Sequence, residues 1–220
     1  MEKKILTACQ KKILKLIFQE KYFAKNFYLT GGTALSAFYL NHRLSEDLDF
    51  FNEKEFDPIP INSFLKKMKL KLNIKDIDYQ KAFNRNIFML RFTKEILKIE
   101  FTYYPFEHAE KPKLIGGIKV DSLLDIAINK VFSITQRTSA RDFIDVYFIL
   151  KENKNISFDG LLKKARIKFD WHIDPLHLGV QLSKVKQAKD LPIMLEKIDP
   201  KIWQGFFVDE ARKLSKKIFL

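Results

Sequence analysis

The sequence is poor in cysteine and has no long apolar segment. Cys9 is the only cysteine in the chain of 220 residues, which excludes an internal disulfide and a cysteine-based zinc cluster. No stretch approaches the ~20 consecutive apolar residues of a transmembrane helix. The N-terminal residues lead directly into an amphipathic segment punctuated by lysines, unlike a signal peptide. We therefore expect a cytoplasmic protein without a membrane segment.

Acidic residues are too few to balance the basic ones. The chain has 40 lysine and arginine residues against 27 aspartate and glutamate residues, so its formal charge is +13. Residues 151–220 contain 15 of the basic and 9 of the acidic residues, and this part has the denser excess of positive charge. Such a field favours nucleic acid or nucleotides as partners. Solvated helix faces rich in lysine would have the same composition, so charge alone leaves both interpretations open.

Helical periodicity dominates both ends of the chain. The predicted helices cover residues 3–20, 60–70, 122–134, 140–151, 158–168, 175–188 and 201–217. The first includes Ile5 and Leu6 in its apolar stripe. Asp121 is placed to cap the helix that follows it, and Ser139 with Asp142 has the spacing of a capping box. No linker rich in glycine or serine divides the chain.

The middle of the chain has strand character. Residues 72–80, 86–93 and 96–103 are predicted strands, and the last two form a hairpin. In the third strand apolar and polar residues alternate, so Glu100 lies at mid-strand on the polar face. Glu100 could be one carboxylate of a metal site. It could equally be a surface glutamate paired with a lysine on the neighbouring strand.

A glycine pair follows a short apolar run near residue 28. Gly31 and Gly32 come directly after Thr30, and Thr33 can act as the N-cap of the helix predicted next. Backbone N–H groups at such a turn can face an anion such as a phosphate. A turn that only lets a strand pack closely against a helix would have the same sequence.

Two aspartates follow in the next predicted strand. Asp47 and Asp49 share one face because alternate residues of a strand point the same way, with ~7 Å between them. This span suits two Mg²⁺ ions, which prefer carboxylate oxygen ligands. Two solvated aspartates are the alternative, but aspartate is depleted in strands, and like charges on one face repel unless a cation is present. The pattern therefore favours a metal site.

Charged residues also gather at a predicted helix junction. Lys130 lies off the apolar stripe of its helix, and Arg137 and Arg141 bracket the start of the next helix, which carries Asp142 and Asp145. Cations beside an acid–base group are what a triphosphate site needs. A helix cap, an i,i+4 ion pair between Arg141 and Asp145, and a solvated lysine would account for the same residues.

Three segments, in this order and spacing, resemble one known family. They are LTGGTAL at residues 29–35, RLSEDLDF at 43–50, and Lys130 followed by RTSARDFIDVY at 137–147. Together they resemble the AbiEii/AbiGii toxin family of DNA-polymerase-β-like nucleotidyltransferases. The resemblance implies an α+β fold in which a mixed sheet is flanked by helices. It implies a nucleotidyltransferase core over residues 1–118 and a helical C-terminal part over 119–220 that completes the active site.

The resemblance also implies roles for individual residues. Asp47 and Asp49 would bind Mg²⁺ or Mn²⁺, and Glu100 would stand in the place of the third metal carboxylate. Lys130 would neutralise phosphate, and Asp142 would act as a base or orienting carboxylate. The implied nucleotide-binding residues are Gly31, Gly32, Thr33, Arg43, Ser45, Arg137 and Arg141. Many polymerase-β relatives have serine where this chain has Gly32, and Thr33 would replace the missing hydroxyl.

The implied reaction is attack of an acceptor hydroxyl on the α-phosphate of a nucleoside triphosphate, with release of pyrophosphate. The acceptor could be the 3′ end of an RNA, with tRNA as the expected one, or a protein side chain, and the positive charge favours RNA. The resemblance implies a toxin, for which a cognate antitoxin is an expected partner. A small-molecule acceptor, as in antibiotic-modifying nucleotidyltransferases, is one alternative. A non-catalytic module that binds RNA or protein on the same fold is another.

Overall fold

The computed structural model describes residues 5–172 and 174–218, with side chains described up to residue 214. The chain forms two compact units. The first comprises residues 1–37, 45–107 and 111–121, and the second comprises residues 38–44, 108–110 and 122–220. The predicted boundary after residue 118 lies close to the last of these changeovers.

The strands of the described residues all belong to the first unit. They are β1 (Tyr28–Thr30), β2 (Leu48–Asn52), β3 (Asp76–Ala82), β4 (Arg85–Arg91), β5 (Ile96–Tyr103), β6 (Lys113–Ile115) and β7 (Ile118–Val120). They form one mixed sheet in the order β3-β4-β5-β2-β1-β7-β6. The predicted hairpin of β4 and β5 is confirmed, and β2 runs parallel to β5 and antiparallel to β1.

The helices of the first unit are α1 (Ala8–Gln19), α2 (Lys21–Asn26), α3 (Gly31–Leu35) and α4 (Ile59–Lys71). The prediction that α1 includes Ile5 and Leu6 is wrong, because a capping box starts the helix later. In this box the Thr7 hydroxyl accepts a hydrogen bond from the Gln10 backbone N–H at 3.1 Å, and the Gln10 side chain accepts one from the Thr7 N–H at 2.9 Å. Residues 3 and 4 lie outside the described residues.

The glycine pair differs from its prediction. Gly31 and Gly32 are the first residues of α3 rather than a turn before it, and a π-helical turn, Ser36–Leu40, follows α3 directly. Gly31 has a φ of +74°, a left-handed conformation that glycine adopts without steric cost. The N-cap position is therefore occupied by Thr30, and the prediction that Thr33 caps this helix is wrong.

Aromatic side chains fill the core of the first unit. Phe101 in β5 is fully buried, and its ring lies 5.0 Å from Phe50, 5.1 Å from Phe27 and 5.7 Å from Phe23, measured between ring centroids. These residues come from β2, β5 and the chain around α2. The apolar face of the predicted strand over residues 96–103 is thus the face that packs into the core.

The second unit is helical. Its helices are α5 (Leu123–Gln136), α6 (Ala140–Glu152), α7 (Phe158–Phe169), α8 (Pro175–Ser183) and α9 (Pro200–Ile218), with a 3₁₀ turn at Lys184–Gln187 after α8. Trp203 and Phe207 of α9 are buried, and the Phe207 ring lies 4.9 Å from Phe143 of α6. The predicted class, a mixed sheet with flanking helices followed by a helical C-terminal part, is confirmed. Among the described residues no helix is long and apolar enough to cross a membrane.

Two helix caps differ from their predictions. Ser122 caps α5 by accepting a hydrogen bond from the Asp125 N–H at 2.9 Å, while Asp121 is buried and accepts one from the Thr30 hydroxyl at 2.7 Å. At the start of α6 the Ser139 side chain makes no capping bond. Asp190 takes that place and accepts the Ala140 N–H at 2.6 Å, so a residue remote in sequence satisfies this helix end.

Replacing Phe101 tests the aromatic core. We expect Phe101→Ala to lower the free energy of unfolding by about 3–5 kcal/mol, because it removes a buried ring and leaves a cavity. Phe83→Ala is the matched control, because Phe83 is 95% exposed and its loss removes little packing. Urea denaturation followed by circular dichroism would measure both changes. Equal effects of the two substitutions would contradict the packing described here.

Candidate active site

Three carboxylates lie on the polar face of the sheet in the first unit. Asp49 in β2 is paired in register with Glu100 in β5, and side chains of directly opposite residues point to the same face. Asp47 immediately precedes β2. Leu48 and Phe50 are fully buried on the opposite face, so the alternation predicted for this segment is present.

Two cationic side chains hold these carboxylates. The Arg85 guanidinium donates from Nε to Glu100 Oε1 and from Nη2 to Glu100 Oε2, both at 2.6 Å. The Lys98 ammonium lies 3.2 Å from Asp47 Oδ2 and 3.3 Å from Glu100 Oε2. Glu100 is only 5% exposed, so it is not the surface residue that one interpretation of the sequence allowed. Its cross-strand partner is an arginine, and the lysine belongs to its own strand.

The opposite charges of Glu100 and Lys98 each stabilise the charged form of the other. Burial raises the pKa of Glu100, but hydrogen bonds from Arg85 and the positive charge of Lys98 outweigh it and leave the pKa below its ordinary value. Burial lowers the pKa of Lys98, yet the charges of Asp47, Asp49 and Glu100 raise it above its ordinary value. At neutral pH the group therefore consists of a negatively charged cluster with two resident cations.

Gly31 lets Asp49 pack against the start of α3. A Cβ atom built on Gly31 would lie 2.5 Å from Asp49 Oδ2, far inside van der Waals contact. The Asp49 carboxylate therefore occupies the space that any other residue at position 31 would fill. The carboxylates of this face are hard oxygen donors, the ligand type that fits a divalent cation such as Mg²⁺ or Mn²⁺.

The segment leading to Asp47 is held by side chains of α1 and α3. The Gln10 amide donates to the carbonyl oxygens of Ser45 and Glu46 at 3.1 and 3.0 Å. The Thr33 hydroxyl is fully buried and donates to the Asp47 carbonyl oxygen. Ser45 is half-buried in this segment. The structure thus gives Thr33 a hydrogen bond that positions the backbone of the first carboxylate.

The second unit has a buried charge cluster of its own. Asp145 in α6 is fully buried, and its Oδ1 accepts from Arg43 Nε at 2.6 Å and its Oδ2 from Arg43 Nη2 at 2.8 Å. Lys130 Nζ of α5 lies 2.8 Å from Asp145 Oδ2 and 2.7 Å from Asp142 Oδ1. His42 Nε2 lies 2.8 Å from Asp145 Oδ1. Lys130 is therefore paired with two aspartates rather than solvated.

The two aspartates, Lys130 and Arg43 are held in their charged forms. Burial raises the pKa values of Asp142 and Asp145, but Lys130 and the arginines beside them bring both below their ordinary range, Asp145 the further of the two. Burial lowers the pKa of Lys130, but the charges of Asp145 and Asp142 outweigh the effect of burial and raise this pKa above its ordinary value. Burial also lowers the pKa of Arg43, but the charge of Asp145 and its hydrogen bonds outweigh this effect and raise the pKa above its ordinary value.

The two predicted arginines at the α5–α6 junction remain more accessible. Arg137 donates from Nε to Asp142 Oδ2 at 2.8 Å, and its side chain is 66% exposed. Arg141 pairs with Asp190 at 3.3 Å, and its side chain is 55% exposed. The alternative in which Arg141 pairs with Asp145 is wrong, because Asp145 points into the buried cluster.

Sequence reasoning brought together Asp47, Asp49 and Glu100 in one unit, and Lys130, Arg137 and Asp142 in the other, and the structure groups each set. It missed the importance of Lys98 and Arg85, although strand alternation already placed Lys98 on the face of Glu100. Asp145 was included in the charged helix junction and as a possible partner of Arg141, but its pairing with Arg43 and His42 was not predicted. The spacing of three between Asp142 and Asp145 on one helix was the available signal.

Gly31 provides a test of the close packing between Asp49 and the start of α3. We expect Gly31→Ala to destabilise the protein by more than the roughly 1 kcal/mol of a left-handed alanine, because the new methyl group also collides with Asp49. Gly117→Ala is a matched control, since Gly117 has a φ of +83° but nothing within 4 Å of its Cβ position. Thermal unfolding of both variants would measure the difference. Equal loss of stability in Gly31→Ala and Gly117→Ala would show that the Asp49 side chain moves aside without cost.

Asp145 provides a test of the buried cluster. We expect Asp145→Asn to lower the free energy of unfolding by about 3–5 kcal/mol at pH 7, because Lys130 and Arg43 lose their buried counter-charge. Asp209→Asn is the control, because Asp209 forms an exposed pair with Arg212 that contributes ~0–1 kcal/mol. Urea denaturation would measure both.

The same variant has a predicted pH dependence. The pKa of Asp145 is lowered on folding, so its stabilisation is fully present above the unfolded-state pKa near ~3.9 and is lost as the pH falls through the folded-state pKa. The gap in stability between the wild type and Asp145→Asn should therefore narrow in acid. Unfolding measured from pH 7 down to pH 3 would show a constant gap if this is wrong.

Comparisons with known proteins agree with this arrangement. Residues 12–215 match the family described as "Nucleotidyl transferase AbiEii toxin, Type IV TA system". An uncharacterized protein of Aquifex aeolicus (strain VF5) is 34% identical over 154 residues, which cover 67% of this chain and 70% of that protein.

Solved structures share the fold. The crystal structure of JHP933 from Helicobacter pylori has a TM-score of 0.64 and 21% identity, covering 95% of this chain and 90% of that one. The nucleotidyltransferase toxin MenT4 from Mycobacterium tuberculosis H37Rv has a TM-score of 0.56 and 14% identity, with coverage of 94% and 82%. Since the family match spans nearly the whole chain, the protein belongs to the AbiEii family of nucleotidyl transferase toxins and is a nucleotidyltransferase.

Proposed function

We propose that the protein is a metal-dependent toxin that transfers a nucleoside monophosphate from a nucleoside triphosphate to a hydroxyl group of RNA, such as tRNA. The observation that carries the metal dependence is the grouping of Asp47, Asp49 and Glu100 on one sheet face, where Asp49 packs against Gly31 and Lys98 contacts both Asp47 and Glu100. We assign Asp47 and Asp49 as ligands of Mg²⁺ or Mn²⁺ and Glu100 as the third carboxylate. Such a metal would stabilise negative charge on the reacting phosphate.

The chain's own residues would divide the remaining tasks. We assign Gly31 and Gly32 of α3, and Ser45 in the segment before β2, to binding of the triphosphate. Thr33 holds the Asp47 backbone through its hydrogen bond to the carbonyl oxygen, which keeps that carboxylate in place. Arg85 fixes the orientation of Glu100 through its two-point contact.

The second unit would supply phosphate-binding and acid–base groups. Arg137 and Arg141 have side chains that are more than half exposed, and we assign these guanidinium groups to binding of phosphate oxygens. Arg43 is buried and Lys130 is 12% exposed; both have Asp145 as a partner, and Lys130 also contacts Asp142. Because the pKa of Asp142 is lowered, this carboxylate is a weak base, and we propose that it orients a hydroxyl rather than removing its proton.

RNA as the acceptor is supported by charge. With 40 basic against 27 acidic residues, the protein has the electrostatic character that phosphate backbones attract. A small cationic acceptor would instead be repelled by a net charge of +13. A cognate antitoxin is the proposed protein partner, because the family is described as part of a toxin–antitoxin system.

The reaction can be tested directly. The protein would be incubated with Mg²⁺, total RNA and each of the four triphosphates labelled at the α-phosphate, and the products separated by denaturing electrophoresis. We expect label on RNA with at least one triphosphate. We expect Asp49→Asn to reduce labelling by more than about 100-fold, because it removes a proposed metal ligand while keeping the side-chain shape.

Asp78→Asn is the control for this variant. Asp78 is an exposed carboxylate in β3 that pairs with Arg91, so its loss removes one negative charge from the same unit without touching the cluster. Its labelling should equal that of the wild type. Undiminished labelling by Asp49→Asn would overturn the site assignment, and label on protein or a small molecule instead of RNA would overturn the proposed acceptor.

A further inference from the structure

Lys98 occupies a place that a cation shared by two carboxylates would take. Its ammonium lies almost equally far from Asp47 Oδ2 and Glu100 Oε2, at 3.2 and 3.3 Å. The two residues that flank Lys98 in β5, Leu97 and Ile99, are buried at 4% and 0% exposure, so the start of its side chain is fixed by the sheet. The lysine therefore bridges one residue that precedes β2 and one that lies in β5.

Glu100 does not depend on Lys98 for its neutralisation. Both of its oxygens already accept from Arg85 at 2.6 Å, and Oε1 also accepts from the Thr102 hydroxyl at 2.9 Å. The forked guanidinium is held at two points, whereas Lys98 makes longer contacts from a flexible stem that is 26% exposed. Arg85 is the more exposed of the two cations, at 47% against 26%, so the longer contacts of Lys98, and not its exposure, make Lys98 the cation that is more easily displaced.

We propose that Lys98 is an internal counter-cation that occupies the carboxylate cluster in the metal-free protein and competes with a divalent metal for Asp47 and Glu100. The inference rests on the metal site of the proposed function. A metal that uses Asp47 Oδ2 as a ligand has to replace the ammonium there, because two cations cannot share this oxygen at close range without repulsion. Lys98 thus keeps the carboxylates together before the metal binds and weakens metal binding.

The test measures Mn²⁺ binding to the full chain by isothermal titration calorimetry, without nucleotide or RNA. We expect Lys98→Met to bind Mn²⁺ about tenfold more tightly than the wild type, because the competing charge is gone while much of the side-chain volume remains. Lys66→Met is the matched control, since Lys66 is an exposed residue of α4 in the same unit and its loss changes the net charge equally. Its affinity should stay within about twofold of the wild type.

A second variant separates charge from packing. Lys98→Arg keeps the positive charge, so we expect its Mn²⁺ affinity to be no higher than that of the wild type. This variant also tests the proposal if Lys98→Met fails to fold. Tighter Mn²⁺ binding by Lys98→Arg than by the wild type would contradict the proposed competition between Lys98 and the metal. Unchanged or weaker binding by Lys98→Met, or binding by neither the wild type nor this variant, would overturn it as well.

Thermal unfolding gives an independent readout. In the presence of a chelator Lys98→Met should unfold at a lower temperature than the wild type, because the carboxylates repel one another without their resident cation. Saturating Mn²⁺ should raise its unfolding temperature by more than it raises that of the wild type. These measurements involve no nucleotide transfer. A protein that binds Mn²⁺ as expected but labels no RNA would thus contradict the proposed acceptor reaction and leave the role of Lys98 intact.

Discussion

The parallel pairing of β2 with β5 is the interaction on which the first unit depends. One register sets Phe50 opposite Phe101 on the core face and Asp49 opposite Glu100 on the polar face. A shift of one residue would exchange the faces, placing carboxylates among phenylalanine rings and rings in water. The aromatic core therefore fixes the register, and the register in turn fixes the distance between the carboxylates. Stability and the arrangement of the site have the same structural origin.

Carboxylates that lie close together need positive charges beside them. The two units provide these positive charges in different ways. In the first unit Arg85 and Lys98 stand against three carboxylates, and the cluster keeps partial access to solvent. In the second unit Asp145 is fully buried, and Lys130 and Arg43 pair with it. We propose that the partly exposed cluster exchanges its cation, whereas in the buried cluster the loss of one partner would leave an uncompensated charge between α5 and α6.

Local patterns predicted much of this arrangement. The alternation in β5 and the hairpin with β4 follow from period-two hydrophobicity, and the helices of the second unit follow from their apolar stripes. The errors have a common cause. Thr33, Asp121 and Asp142 were assigned to caps on their own helices, which is the usual role of such residues beside a helix start. In the structure each bonds to a group outside its own helix end: the Asp47 carbonyl, the Thr30 hydroxyl, and Lys130 with Arg137.

The sequence by itself determined the residue types and their faces: a glycine at Gly31, aspartates two residues apart, Glu100 at mid-strand, and the α+β class. These features depend on backbone periodicity and on short-range sterics, both of which can be read from neighbouring residues. Only the tertiary structure decided that Glu100 faces Asp49, that Lys98 bridges two carboxylates, and that Asp190 rather than the Ser139 side chain caps α6. Those contacts join residues separated by tens of positions, and packing and charge select them only once the strands and helices have come together.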